Sequence, residues 1–274
     1  MISRLAKLFR NRVHVARMRF YSGNKRFAHL SDAEIELCEA ASAHLAVFVH
    51  IPKAGGTTIK NLMVANYGRR YRDFHPRIND LRENPEVLVD LCAVSAHRPY
   101  GYHLALEADV RKGGGANVWT NRKPFVFSIT RDPVDRLVSS FNFITTFPQH
   151  TLYPKVNRMD PEEFFPFMKR ERPVEFHNLQ CQFIAGSGRS PSFIEAKDSL
   201  ESKFAKVVDL GAQSKLIDFL VDRLGWKLTG EEDMRLNESP KKLHRSDLGS
   251  KLLQIIEDAN QEDLKLADHV RSLD

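Results

Sequence analysis

The chain has 274 residues, 42% of them hydrophobic, enough to bury one substantial core within one or two domains. Its 41 Lys and Arg against 35 Asp and Glu give a formal charge of +6, which suits anionic ligands. No zinc-finger spacing, RNA-binding aromatic signature or heptad-backed basic region is present, which argues against specific nucleic-acid recognition.

Residues Met1 to Phe27 hold eight basic residues and no acidic one. Ile2, Leu5, Leu8 and Phe9 can line one face of a short basic helix able to touch anionic lipid or an anionic glycan, and the segment faintly resembles a mitochondrial presequence. The alternative is a solvated, frayed arm. Ser31 and Glu34 then form a capping box for a helix expected through Ala43.

The stretch Val47-Phe48-Val49-His50-Ile51-Pro52-Lys53-Ala54-Gly55-Gly56-Thr57-Thr58 reads as strand, turn and helix, with Ile59, Leu62 and Met63 continuing at helical spacing. Such a turn sits on a helix N-terminus, where N–H groups without intrahelical acceptors and the positive end of the dipole favour an anion. Gly55 and Gly56 let an oxygen approach the backbone, Thr57 and Thr58 bring hydroxyls, and Lys53 a mobile charge. A nucleotide-triphosphatase P-loop needs its lysine after the last glycine; here Lys53 precedes both. The order Pro-Lys-Ala-Gly-Gly-Thr-Thr resembles instead the 5′-phosphosulfate loop of sulfotransferases that use 3′-phosphoadenosine 5′-phosphosulfate (PAPS), most closely the carbohydrate branch related to heparan sulfate 2-O-sulfotransferases. Ala54 lacks the hydroxyl that many relatives carry there.

From Gly68 to Glu86 the expectation is an irregular segment or lid, with Arg69, Arg70, Arg72 and Arg77 either holding acidic groups of an acceptor or forming surface charge. Val87 to Ser95 reads as a strand running into Ala96-His97-Arg98-Pro99-Tyr100-Gly101. A histidine at a strand end is placed where α/β folds put chemistry, and an unperturbed imidazole accepts a proton near neutral pH. The resemblance implies that His97 is the catalytic base, although Ala96 replaces the usual glycine; His103 is a weaker candidate for acceptor binding. Glu107 to Arg122, with Lys112-Gly113-Gly114-Gly115, reads as a hairpin or loop tip.

Lys123 to Thr130 is a second apolar strand, followed by Arg131-Asp132-Pro133 and then Val134, Leu137, Val138 and Phe141 at helical spacing, with Pro133 in the first turn. Sulfotransferases carry an arginine and, eight residues on, a serine that hold the donor's 3′-phosphate; Arg131 and Ser139 match that spacing. Thr145 to Asn157 reads as a loop, Pro161 to Met168 as a helix opened by Asp160, and Asn178 to Gly186 as a helix ended by glycine that loosely resembles an Asn-Leu-Gln segment of bacterial members. Lys206 to Leu210 is a strand and Gln213 to Leu224 an amphipathic helix. Leu236 to Lys242 follows, where Lys241 and Lys242 could close over the donor, and one C-terminal helix is expected from Asp247 to Val270.

The alternation predicts a three-layer α/β sandwich with a mainly parallel central sheet, P-loop-kinase-like in architecture, as a single domain over 31–274 behind a basic arm of residues 1–30. Cys38, Cys92 and Cys181, with no C-x-x-C, argue against a disulfide framework and a zinc site. No apolar run approaches the ~18 residues of a membrane span. The resemblance is specific from Ala46 to Phe143, faint from Asn178 to Pro240 and absent before Leu45. It implies a metal-free enzyme that moves a sulfuryl group from PAPS to a hydroxyl of a glycan and releases PAP. Lys53 and His97 would be catalytic, and Lys53, Ala54, Gly55, Gly56, Thr57, Thr58, Arg131 and Ser139 would bind the donor. A soluble bacterial cytoplasmic enzyme is the preferred setting, with the Golgi lumen as the alternative had an anchor been removed. A P-loop-like kinase and a non-catalytic glycan-binding or nucleic-acid-binding protein are the rival readings.

Overall fold

The computed structural model describes residues 44–74, 91–112, 122–186, 192–228 and 243–273. The arm at 1–30, the helix expected from Ser31, Arg77, Lys241 and Lys242 all lie outside them. Five strands form one sheet: β1 His44–Val49, β2 Tyr71–Asp73, β3 Ala93–Ala96, β4 Lys123–Thr130 and β5 Lys206–Asp209. Their spatial order is β2-β3-β1-β4-β5, and each neighbouring pair is parallel. The three-layer α/β expectation therefore holds.

The central strands β1 and β3, and β4 from Phe125 onward, are buried on both faces, as parallel strands covered by crossover helices are. Leu45, Val47 and Val49 of β1, with Val94, Val126 and Val207, pack beneath α2 (Tyr102–Lys112), α7 (Leu179–Ala185), α8 (Phe193–Lys203) and α11 (Gln261–Ser272). Ala46, Phe48, Phe125, Phe127 and Ile129 face α1 (Thr57–Tyr67) and α9 (Gln213–Leu224) on the opposite side. Phe48 and Phe127 are each 1% exposed or less, and burying such a ring contributes roughly 1.5–3 kcal/mol. A third apolar cluster joins α3 (Pro133–Ile144), α4 (Tyr153–Val156), α5 (Pro161–Glu171), α6 (Pro173–Phe176) and α10 (Ser250–Ala259).

Four expectations need correction. The segment after α1 is not irregular throughout: Gly68–Arg70 makes a 3-10 turn and Tyr71–Asp73 pairs with β3, fixed by Tyr71 Oη to Ser95 Oγ at 2.6 Å, Ser95 Oγ donating to Asp73 at 3.1 Å, and a Lys60–Asp73 ion pair. Residues 107–112 belong to helix α2. The stretch read as a loop from Thr145 contains α4, which buries Val156. The C-terminal helix is two helices, broken at Asn260, whose side-chain amide bonds the Ile256 carbonyl at 2.8 Å while its oxygen accepts from the Asn178 N–H at 3.1 Å. Among the described residues no helix is long and apolar enough to cross a membrane.

Candidate active site

In the strand order observed, the connection leaving β1 runs one way to β2 and that leaving β4 runs the other way to β5, so the carboxyl ends of β1 and β4 flank a topological switch point where open α/β sheets place ligands. The turn 50–56 leaves β1 there. Lys53 adopts φ +67° and Gly55 φ +88°, and Gly56 returns to the right-handed region as the N-cap of α1. A left-handed residue followed by a right-handed one turns successive N–H groups toward a common point, a concavity suited to an anion, and the first turn of α1 adds its own. The loop is tightly supported. A side chain on Gly56 would overlap the His50 ring, one on Gly55 would overlap Leu210, and Gln213 donates to the Gly55 carbonyl at 3.1 Å.

Arg131 follows β4 directly. Continuing the pairing of Val49 with Ser128 puts it level with the Pro52–Lys53 turn, and its guanidinium donates to the Lys53 carbonyl at 3.3 Å. The two loops that the sequence singled out thus meet. Asp132 caps α3, accepting from the N–H groups of Val134 (3.0 Å) and Asp135 (3.2 Å), with Pro133 in the first helical turn. Its other oxygen pairs with Arg245 at 3.1 Å. Ser139 is partly exposed on α3, off the buried stripe of Val134, Leu137, Val138 and Phe141.

The electrostatics of the pair are shaped by burial. Desolvation, and secondarily the Arg131 charge, push the Lys53 ammonium down to about 8, while its Nζ lies 3.9 Å over the Phe143 ring. Burial also lowers Arg131, against the opposing pull of Asp135, Asp132 and Asp209.

His97 comes to the same edge from the other side of β1. Val49 lies opposite Ala96 and the His50 N–H donates to the Ala96 carbonyl at 3.1 Å, so His50 and His97 leave the sheet side by side, ring centroids 4.2 Å apart. His50 also stacks on Phe48 at 5.2 Å. His103 is 1% exposed between the Tyr100 and Tyr102 rings, where burial pushes it down to about 4; it is a packing residue rather than an exposed ligand contact. Ala54 stands buried in the β1–α1 turn, and Thr57 and Thr58, partly exposed, open α1.

Three neighbours were not singled out from the sequence. His50 was legible only as part of the motif, Phe143 only as a helical apolar residue, and Gln180 only through the Asn-Leu-Gln segment. Among the described residues no cluster of His, Cys, Asp and Glu is arranged to hold a metal ion, and Cys92 and Cys181 are buried free thiols.

The sulfotransferase family model matches residues 40–266, most of the chain and the whole of the geometry above. No curated protein matches closely enough to narrow that assignment. Sheet, loops and family match agree, and the chain belongs to the sulfotransferase family, whose chemistry is sulfuryl transfer.

Proposed function

We propose that the protein transfers a sulfuryl group from PAPS to a hydroxyl of a carbohydrate acceptor, with His97 as general base. The observation that carries this reading is the Arg131–Lys53 contact: two anion cradles, separated in sequence, adjoin at the ends of neighbouring strands. A nucleotide phosphorylated at both 3′ and 5′ positions has the two anionic groups such a pair would select. The residues present fit it, since the positive φ of Lys53 and Gly55 turns backbone N–H groups toward one point and the helix N-terminus supplies further donors.

When bound, PAPS supplies the sulfuryl group and a phosphate leaving group. The Gly55 to Thr58 backbone and the Thr57 and Thr58 hydroxyls hold the 5′-phosphate, and Lys53 meets the charge growing on its bridging oxygen. Arg131 and Ser139 take the 3′-phosphate. His97, at the end of β3, accepts the acceptor's hydroxyl proton. The catalysis is mostly positioning and charge stabilisation, by analogy with phosphoryl transfer, and this scheme requires no metal. The carbohydrate class rests on the His97-Arg98-Pro99-Tyr100-Gly101 turn, which resembles that of the carbohydrate branch. Residues 31–274 form one catalytic domain in this reading, in a bacterial cytoplasm, and the basic composition of residues 1–30 suits anionic surfaces.

Thermal-shift titration with PAP and with ATP, and transfer of labelled sulfate from PAPS to a panel of glycans, phenols and simple alcohols, test the proposal. PAP stabilisation with glycan labelling is expected. Preference for ATP overturns the donor, and labelling of non-sugar hydroxyls alone overturns the acceptor class. His97→Ala is expected to abolish turnover and leave PAP affinity within about threefold, since the base touches the acceptor and not the nucleotide.

A further inference from the structure

Arg131 belongs to neither element beside it: β4 ends at Thr130 and α3 begins at Pro133, so its own peptide N–H and C=O have no ladder or helix partner. Gln180, fully buried, supplies both. Its Oε1 accepts from the Arg131 N–H at 2.8 Å and its Nε2 donates to the Arg131 carbonyl at 2.6 Å. A primary amide is the side chain that accepts and donates at once in this way. Leucine would leave two buried backbone groups unsatisfied, and glutamate could no longer donate to the carbonyl.

Gln180 is itself fixed. Asp263, fully buried on α11, accepts from the N–H groups of Gln180 (3.0 Å) and Cys181 (2.8 Å), capping α7. Asn178, held at φ +42°, returns the bond by accepting from Glu262 (3.1 Å) and Asp263 (3.2 Å), capping α11. The two helices cap one another, and the side chain rising from this junction grips the backbone of Arg131.

We infer that Gln180 is a positioning residue for Arg131, and through it a determinant of how strongly the site discriminates adenosine bisphosphate from adenosine monophosphate. This rests on the donor reading above. The grip fixes the backbone from which the guanidinium departs, so its loss should be felt more at the 3′-phosphate than at the Gly55–Gly56 loop, which Gln213, His50 and Leu210 also support.

The test is calorimetric titration of the full chain with PAP and with adenosine 5′-monophosphate, for wild type, Gln180→Leu, Gln180→Glu, Arg131→Ala and the Arg131→Ala/Gln180→Leu double variant. Wild type should prefer PAP. Each Gln180 variant should cut that preference by about tenfold or more while monophosphate affinity stays within about threefold. Adding Gln180→Leu to Arg131→Ala should cost little more, because the two act as one unit. Gln180→Met replaces Gln180→Leu if the latter does not fold. A PAP preference kept by the Gln180 variants, or an equal loss for both nucleotides, overturns the inference alone. A wild type that does not distinguish the two nucleotides overturns the donor reading with it.

Discussion

The Lys53 ammonium rests 3.9 Å over the ring of Phe143, a residue of α3 twelve positions beyond Arg131. Phe147 stacks on Phe143 at 4.9 Å and His150 meets its edge at 5.9 Å. The one mobile cation of the β1–α1 loop is therefore seated on an aromatic group, in a place where burial favours its neutral form.

This makes anion binding pH-dependent with a definite sign. Folded Lys53 releases its proton near 8 and the unfolded chain near 10.5, so between those values the unfolded chain holds more protons and this group's contribution to stability rises with pH. Binding runs the other way, since an anion needs the charged form. PAP affinity should fall by up to about tenfold per pH unit above about 8. Calorimetry across that range checks it, with Lys53→Arg expected to remove the falling limb. Phe143→Leu, which takes away about 0.5–1 kcal/mol of cation–π attraction, should move the limb to lower pH.

Gly56 leaves no room for a Cβ beneath His50 and Phe48, and Gly55 has the backbone sign that side chains resist. Gly56→Ala should cost about 1–3 kcal/mol as an overpacking change, and Gly55→Ala about 1–2 kcal/mol through its φ. Urea titration measures both. The same variants should lose PAP binding by more than their loss of stability accounts for, because the displaced atoms are those that line the concavity.

Asp132 and Arg245 separate a cap from an ion pair. Asp132→Ala removes two N-terminal hydrogen bonds of α3 and should cost about 1–2 kcal/mol. Arg245 is 41% exposed, so Arg245→Ala should cost under about 1 kcal/mol and its effect should shrink as salt is raised. Thermal melts at low and high ionic strength distinguish the two; equal effects with equal salt dependence would contradict the assignment.

Asp263 is held in the interior facing the buried charge of Arg136, and burial raises its pKa above the usual carboxylate value. Asp263→Ala leaves two helix N–H groups without their acceptor and takes a carboxylate away from the buried Arg136 charge, at a cost of about 3–5 kcal/mol. A raised folded pKa means the folded chain keeps a proton that the unfolded chain has released, so this group adds stability as pH falls through the window above 3.8. Asp263→Asn, which cannot titrate, should lose that increment; paired urea curves at mildly acidic and neutral pH check it.

What could be read in the sequence is what local chemistry decides. Val47 to Val49 and Phe125 to Phe127 are uninterrupted apolar runs, the turn after each strand carries its own glycines or proline, and both were legible as strand, loop and helix. Both loops leave the carboxyl ends of strands, where ligands of open α/β sheets gather, and the register of β1 against β4 brings Lys53 and Arg131 together. The features that escaped are made by distant partners. Tyr71–Asp73 is too short to show a period and exists because Ser95 and Lys60 hold it. The break at Asn260 is held by Asn178, 82 residues away, and its local signal is only the asparagine itself, a residue type that can end a helix and was read here as part of one. Gln180 has the composition of an ordinary helical residue; only the position of Arg131 gives it work.

The mutual capping of α7 and α11 has a consequence for biosynthesis. Asp263 emerges 83 residues after Gln180, so a nascent chain displays every residue of the β1–α1 and β4–α3 loops long before the carboxylate that tethers the support of Arg131 is translated. Fragments ending ahead of Asp263, whether from stalling or clipping, should carry the whole motif set and still be poor ligand binders, which makes ligand capture a stringent assay for completed synthesis.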